Sequence, residues 1–154
     1  MLVEVKVKVA RNIDDKVRKR SEVYILENCQ LFAEAEYKVT AELTEEVNSH
    51  LVEDFEIQSI KVSQLKEVYT QYTGDSTFVA TLKDIFLETD GTEKVTKYKV
   101  LLWAKDLTEA TKRTADFAKQ GYNLAIESLK EVDYIYLNEE NNASKQQETK
   151  PSET

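Results

Sequence analysis

Ile57-Gln58-Ser59-Ile60-Lys61 returns as Ile126-Glu127-Ser128-Leu129-Lys130, at an offset of 69 residues. The apolar positions coincide, and the serine and lysine keep their places. Working outward, the match continues at an offset of 75. Val3, Val5 and Val7 fall on Phe78, Ala80 and Leu82. Ile25-Leu26 falls on Val100-Leu101, and Phe32, Glu34 and Ala35 fall on Leu107, Glu109 and Ala110. The offset drops from 75 to 69 because the first helix or its exit loop is six residues longer. Shared identities at a fixed spacing are the mark of an internal repeat.

Each half reads in the same order. Val3, Val5, Val7 and Val9 alternate with Glu4, Lys6 and Lys8, the period of a half-buried strand. Asn12-Ile13-Asp14-Asp15 reads as a turn, and a second strand over 16–27 ends in Val23-Tyr24-Ile25-Leu26. Phe32, Ala35, Val39, Leu43 and Val47 then recur at helical spacing, to an end near His50. A third strand covers 55–69, with a break near Ser63-Gln64. In the second half, strands over 78–88 and 94–104 flank an Asp90-Gly91 turn. Asp106-Leu107-Thr108-Glu109 reads as a capping box, because the Asp106 carboxylate can accept from an orphan N–H while Glu109 reaches back. The helix it opens stops at Gly121, and a last strand covers 124–137.

The expected fold class is α+β: a tandem pseudo-symmetric β-β-α-β repeat, with an antiparallel sheet and two helices on one side. Residues 1–137 read as a single globular domain with halves 1–70 and 76–137. Residues 138–154 have Ala143 as their one aliphatic residue, and they read as a disordered, mildly acidic tail.

Composition narrows the function classes. The chain has 154 residues, is 41% hydrophobic and 32% charged, and carries a formal net charge of -8. That charge argues against binding duplex DNA through bulk attraction. No apolar run is long enough to span a membrane, and the alternating start is unlike a signal peptide. One cysteine, Cys29, and one histidine, His50, leave no internal disulfide and no zinc site with usual ligands. A reducing, cytoplasmic setting is the expectation. Gly74, Gly91 and Gly121 are too scattered for a phosphate-cradling loop. Cys29 coincides with Ala104 in the repeat and reads as a small buried filler. Glu45-Glu46, Glu53-Asp54 and Glu139-Glu140 lack the apolar setting that tunes a carboxylate for acid–base work. No catalytic residue, cofactor or metal is expected, and the chain reads as a non-enzyme.

The charge is unevenly spread. Residues 1–20 hold Lys6, Lys8, Arg11, Lys16, Arg18, Lys19 and Arg20 against Glu4, Asp14 and Asp15. Residues 32–56 hold eight acids against Lys38. With the valines of the first strand and Val23 and Ile25 of the second turned toward the helices, the opposite sheet face shows Lys6, Lys8, Arg18, Arg20 and Tyr24. The second half adds Lys83, Lys97, Lys99 and Trp103. Cations that track phosphates, interleaved with rings that stack on unpaired bases, are the chemistry of single-strand binding. The same lysines also read as an ordinary solvated strand face, and Trp103 reads equally as core.

Three stretches of the first half carry a family resemblance: Val3-Glu4-Val5-Lys6-Val7, Phe32-Ala33-Glu34-Ala35-Glu36 and Ile57-Gln58-Ser59-Ile60-Lys61. Asp106-Leu107-Thr108-Glu109-Ala110 and Ile126-Glu127-Ser128-Leu129-Lys130 carry it in the second half. Over residues 1–137 the chain resembles a small domain-of-unknown-function family of Bacteroides-type gut bacteria and their phages, crAss-like phages among them. The resemblance implies a role near phage genome replication, with single-stranded DNA binding as the candidate activity, and it supplies no catalytic residues. The leading expectation is a non-enzymatic single-stranded DNA or RNA binder that uses the nine residues Lys6, Lys8, Arg18, Arg20, Tyr24, Lys83, Lys97, Lys99 and Trp103. The alternative is a protein-interaction or structural module that dimerises or serves assembly through the same face.

Overall fold

The computed structural model describes residues 1–119 and 124–137. The expected stop at Gly121 and the expected tail over 138–154 lie outside the described residues. The elements are β1 (Val3–Ile13), β2 (Lys16–Leu26), α1 (Phe32–Asn48), β3 (Val52–Val62), β4 (Glu67–Tyr69), β5 (Ser76–Leu87), β6 (Glu93–Ala104), α2 (Leu107–Lys119), β7 (Ala125–Val132) and β8 (Tyr134–Leu137).

The fold is α+β with two four-stranded sheets, a division between one sheet and two that the sequence pattern leaves open. Their strand orders are β3-β1-β2-β8 and β4-β6-β5-β7. Each is mixed, because β8 runs parallel to β2 and β4 runs parallel to β6. The stretch read as one strand over 124–137 is two, β7 and β8, in different sheets. The stretch over 55–69 likewise divides into β3 and β4. Alternation identifies a strand but carries no information about its partner, so a change of sheet leaves no trace in the pattern. Two compact units result, Met1–Ser63 with the segment from Tyr134 onward, and Gln64–Asp133.

In the first unit, Asp14 and Asp15 alone separate the paired Ile13 and Lys16. Both take positive φ, 51° and 64°, as a type I′ hairpin turn requires. α1 packs Ala35, Val39 and Leu43 against Val3, Val5, Val7, Val9, Tyr24 and Leu26. It has no side-chain N-cap at Leu31. It ends in a Schellman motif, with His50 N–H donating to the Val47 carbonyl, Leu51 N–H donating to the Glu46 carbonyl, and His50 at φ 62°. Cys29 is buried, and burial pushes its thiol pKa up, which makes it inert packing.

In the second unit, α2 packs Ala110, Phe117 and Ala118 against Phe78, Ala80, Leu82, Val100, Leu102 and Tyr69. Its start is capped. Glu109 N–H donates to Asp106 Oδ1 at 2.9 Å, and Glu109 Oε1 accepts from Lys105 N–H at 3.1 Å. The β5–β6 hairpin turns through residues 88–92, with Gly91 at φ 86°. Gly74 lies so close to Ala104 that an added Cβ would sit 2.4 Å from its carbonyl carbon.

Both sheets carry a β-bulge in the strand beside their first one. Lys6 pairs with Ser59 and Val7 with Ile57, which skips Gln58. Thr81 pairs with Ser128 and Leu82 with Ile126, which skips Glu127. The pentapeptides that open the sequence reading therefore contain the bulges.

Candidate nucleic-acid interface

The turn at Asp14-Asp15 decides which residues share a face. It pairs Val3 with Leu26, Val5 with Tyr24, Val7 with Glu22, Val9 with Arg20 and Arg11 with Arg18. Directly opposed residues of an antiparallel pair project to the same side. Arg18, Arg20 and Tyr24 therefore belong to the face that α1 covers, not to the face of Lys6 and Lys8.

Tyr24 is 1% exposed and lies in the core, so it is corrected from a stacking platform to an interior residue. The expectation failed because Val23-Tyr24-Ile25-Leu26 is apolar at every position and shows no phase of its own. The halves were also aligned one residue out along this strand. Leu26 stands opposite Val3 as Leu102, not Leu101, stands opposite Phe78. The parity of the loop was the usable signal. An even loop pairs odd positions of β1 with even positions of β2, whereas the odd loop over 88–92 pairs like with like.

What Tyr24 does instead is hold a buried ionic group. Arg11 reaches Glu22 through two hydrogen bonds, Nε to Oε2 at 2.5 Å and Nη2 to Oε1 at 2.7 Å. The Tyr24 hydroxyl donates to Glu22 Oε1 at 3.1 Å, and Arg20 Nε donates to Oε2 at 2.8 Å. Glu46 of α1 accepts from Arg11 Nη2 at 3.3 Å. Burial pushes the Glu22 carboxyl up, but the hydrogen bonds and charges of Arg11 and Arg20 outweigh it and hold the carboxyl below its ordinary range. Burial, reinforced by the charges of Glu22 and Glu46, pushes the Tyr24 phenol up, so it stays protonated. Arg20 is thus committed to a structural ion pair, and the sequence reading missed the group entirely.

The opposite face of the first sheet can be read in rows. Lys61, Glu4, Ile25 and Tyr136 form one row, and Ser59, Lys6, Val23 and Tyr134 the next. Glu56, Lys8 and Ser21 follow, then Asp54, Ala10 and Lys19. Lys61 pairs with Glu4 at 3.3 Å, and the Tyr136 hydroxyl donates to Glu27. Lys6, Lys8, Lys16, Arg18 and Lys19 are exposed, and none has an ion-pair partner among the described residues. Tyr134 is half-buried, and its phenol is pushed up by burial and by Glu4, which places it beside that charge. Lys19 and Tyr134 are therefore members of this face that the sequence reading did not include. Tyr134 could not be assigned to it without knowing that β8 joins β2.

In the second sheet, Thr81, Lys83, Lys97, Lys99, Leu101 and Trp103 share the side away from α2. Their charges are largely answered locally. The bulged Glu127 accepts from Lys83 at 3.1 Å and Lys97 at 3.3 Å, which holds its carboxyl below the usual range. Lys99 Nζ donates to Gln64 Oε1 at 3.1 Å. Trp103 is half-buried, and its carbonyl accepts from Arg113 at 2.7 Å. Neither sheet leaves this side open throughout, because Ile25 in one and Thr81 and Leu101 in the other are buried.

Among the described residues no helix is long and apolar enough to cross a membrane, and no group of His, Cys, Asp or Glu is placed to hold a metal ion. The crevice under α2, lined by Tyr69, Leu82, Val100, Arg113 and Phe117 among others, is too tight for a water molecule. No curated protein and no solved structure matches the chain. A family profile does, over residues 1–139, which takes in every described element from β1 to β8. By that match the chain belongs to the family described as Domain of unknown function (DUF4494).

Proposed function

We propose that the protein is a non-enzymatic binder of single-stranded nucleic acid that works through its first unit. Phosphates would pass Lys6, Lys8 and Lys19 on one face of the β1–β2 hairpin, with Lys16 and Arg18 around its free edge. A base would stack on Tyr134. The observation that carries the reading is the set of exposed, unanswered cations on a single hairpin of an acidic molecule. This set replaces the nine-residue one, since Tyr24 is interior and Arg20 is held by Glu22. Lys83, Lys97, Lys99 and Trp103 are left outside it, because their sheet supplies partners for the lysines.

A tandem duplication accounts for the two sheets. Supporting it are the like strand orders, the parallel edge strands and the bulges at Gln58 and Glu127. It also explains how one unit diverges in surface while both keep their ladders. A place near phage genome replication, in the cytoplasm of a bacterial host, fits this activity.

The test is fluorescence polarisation with labelled oligo-dT and a duplex of equal length across a salt series. Single-strand binding should weaken with a slope set by the phosphates neutralised, about 0.7 per contact. Tyr134→Ala should weaken binding by about fivefold or more without changing that slope, since a stacked base contributes about 1–3 kcal/mol and no charge. Equal or absent binding of the single strand at low salt sinks the proposal.

A further inference from the structure

The β5–β6 hairpin has an unpaired edge with a property the other hairpin lacks. β4 covers β6 over Val100–Leu102 and no further, so residues 93–97 have β5 on one side and no strand on the other among the described residues. The direction of the free groups is fixed by a bond already made. Lys66 N–H donates to the Lys99 carbonyl at 2.8 Å, so the main-chain groups of Lys99 face away from β5. The alternation of an antiparallel ladder then turns those of Glu93, Val95 and Lys97 the same way.

A strand laid antiparallel on this edge and centred on Val95 would meet these groups in register. If that strand is β6 of another copy, Val95 opposes Val95 and Glu93 opposes Lys97 twice over, while Lys94 meets Thr96. No like charges face each other. Val95 is 50% exposed and shares its side of the sheet with the opposed Ile85, 54% exposed. The two copies would therefore join an apolar stripe of Ile85, Val95, Val95 and Ile85 across the seam. The corresponding edge of β2 cannot do this. Centred on Lys19, it would set Lys19 against Lys19 with Arg18 and Arg20 alongside.

We infer that the protein forms a two-fold dimer by antiparallel pairing of β6 with β6 of a second copy about Val95, making one eight-stranded sheet across the two. About six ladder hydrogen bonds close the seam. An interface this narrow is weak, so the dimer forms at high protein concentration. The inference is independent of nucleic-acid binding.

Sedimentation velocity and light scattering on the full chain, from about 10 µM to about 1 mM, test it. The mass should rise from 17.8 kDa toward twice that value. Val95→Lys should hold the chain monomeric throughout with an unchanged melting curve, since the side chain lies outside the core. Glu93→Lys alone should weaken association at least tenfold by setting lysine against Lys97, and Glu93→Lys with Lys97→Glu should restore it. Val95→Cys should cross-link across the seam on mild oxidation, while Lys19→Cys on the other hairpin should not. Opposed Cα atoms about 5.5 Å apart suit a disulfide. A monomer at every concentration overturns the inference. So does a dimer that ignores Val95→Lys and the charge reversals.

Discussion

The outer half of the β1–β2 hairpin carries Lys16, Arg18, Lys19 and Arg20, whereas the outer half of β5–β6 exposes Ile85, Phe86, Leu87 and Val95. Each hairpin sits in its own sheet, flanked by a bulged antiparallel strand and by a short parallel one. What differs is what they present. Cations on an edge repel a second copy and attract a polyanion, while an apolar, self-complementary edge invites a strand. The inner layers differ in the opposite sense. Beneath the charged hairpin lies the ionic group of Arg11, Glu22 and Tyr24. The matching ladder positions of the second unit hold Phe86, Tyr98 and Val100, where the one polar tip, the Tyr98 hydroxyl, donates to Glu67 at 2.9 Å. The two units thus carry polar and apolar residues in opposite arrangement on their two faces, and each buried polar side chain among the described residues keeps its partner.

Breaking the inner layer gives the largest expected effect. Glu22→Gln removes the nearer of the two carboxylates that face Arg11, leaving only Glu46 at 3.3 Å, and should cost about 3 kcal/mol at pH 7, read from urea unfolding. Tyr98→Phe in the second unit should cost about 1 kcal/mol, the worth of one hydrogen bond. The first effect should also depend on pH. The Glu22 carboxyl is held below its ordinary value near 4.5, so its contribution is complete above that value and is lost as pH falls through the lower, folded one. The gap between wild type and Glu22→Gln should therefore close in acid.

The helix starts sharpen the comparison at a smaller scale. Asp106→Ala removes the cap of α2 and should lower stability by about 1 kcal/mol. α1 has no such cap to lose, and Leu31→Asp should raise stability by about 0.5 kcal/mol in the same assay. The smallest effect lies in the turns. Asp15 holds φ 64°, so Asp15→Gly should raise the melting temperature by a degree or a few, corresponding to about 0.5 kcal/mol. Gly91 already occupies the positive-φ position of the other hairpin, at φ 86°, and Gly91→Ala should lower it.

Strand and helix positions were legible because Val3 to Val9, the α1 stripe and the Asp106 cap each carry a local pattern. The third-strand match was legible because a bulge with fixed flanks constrains residue type, as Ile57 to Lys61 and Ile126 to Lys130 show. The separation into two sheets was not legible, since nothing local to β4 or β8 names the strand it joins. The candidate site was half legible. Lys6 and Lys8 follow from alternation beside buried valines, but Tyr24 was misplaced because an all-apolar run carries no phase. Tyr134 was invisible until β8 had a neighbour. The Arg11–Glu22 pair escaped notice because a glutamate within a basic strand looks like a solvated charge, and only the cross-strand register brings it under Arg11.

The most direct test of the division of labour between the hairpins is oligo-dT binding by two triple variants, measured by fluorescence polarisation at low and moderate salt with folding checked by circular dichroism. Lys6→Gln with Lys8→Gln and Lys19→Gln should lose at least tenfold in affinity and about two units of salt slope, while Lys83→Gln with Lys97→Gln and Lys99→Gln should stay within about twofold of wild type. Equal losses in the two variants, or a loss confined to the second, would contradict the assignment of binding to the first hairpin.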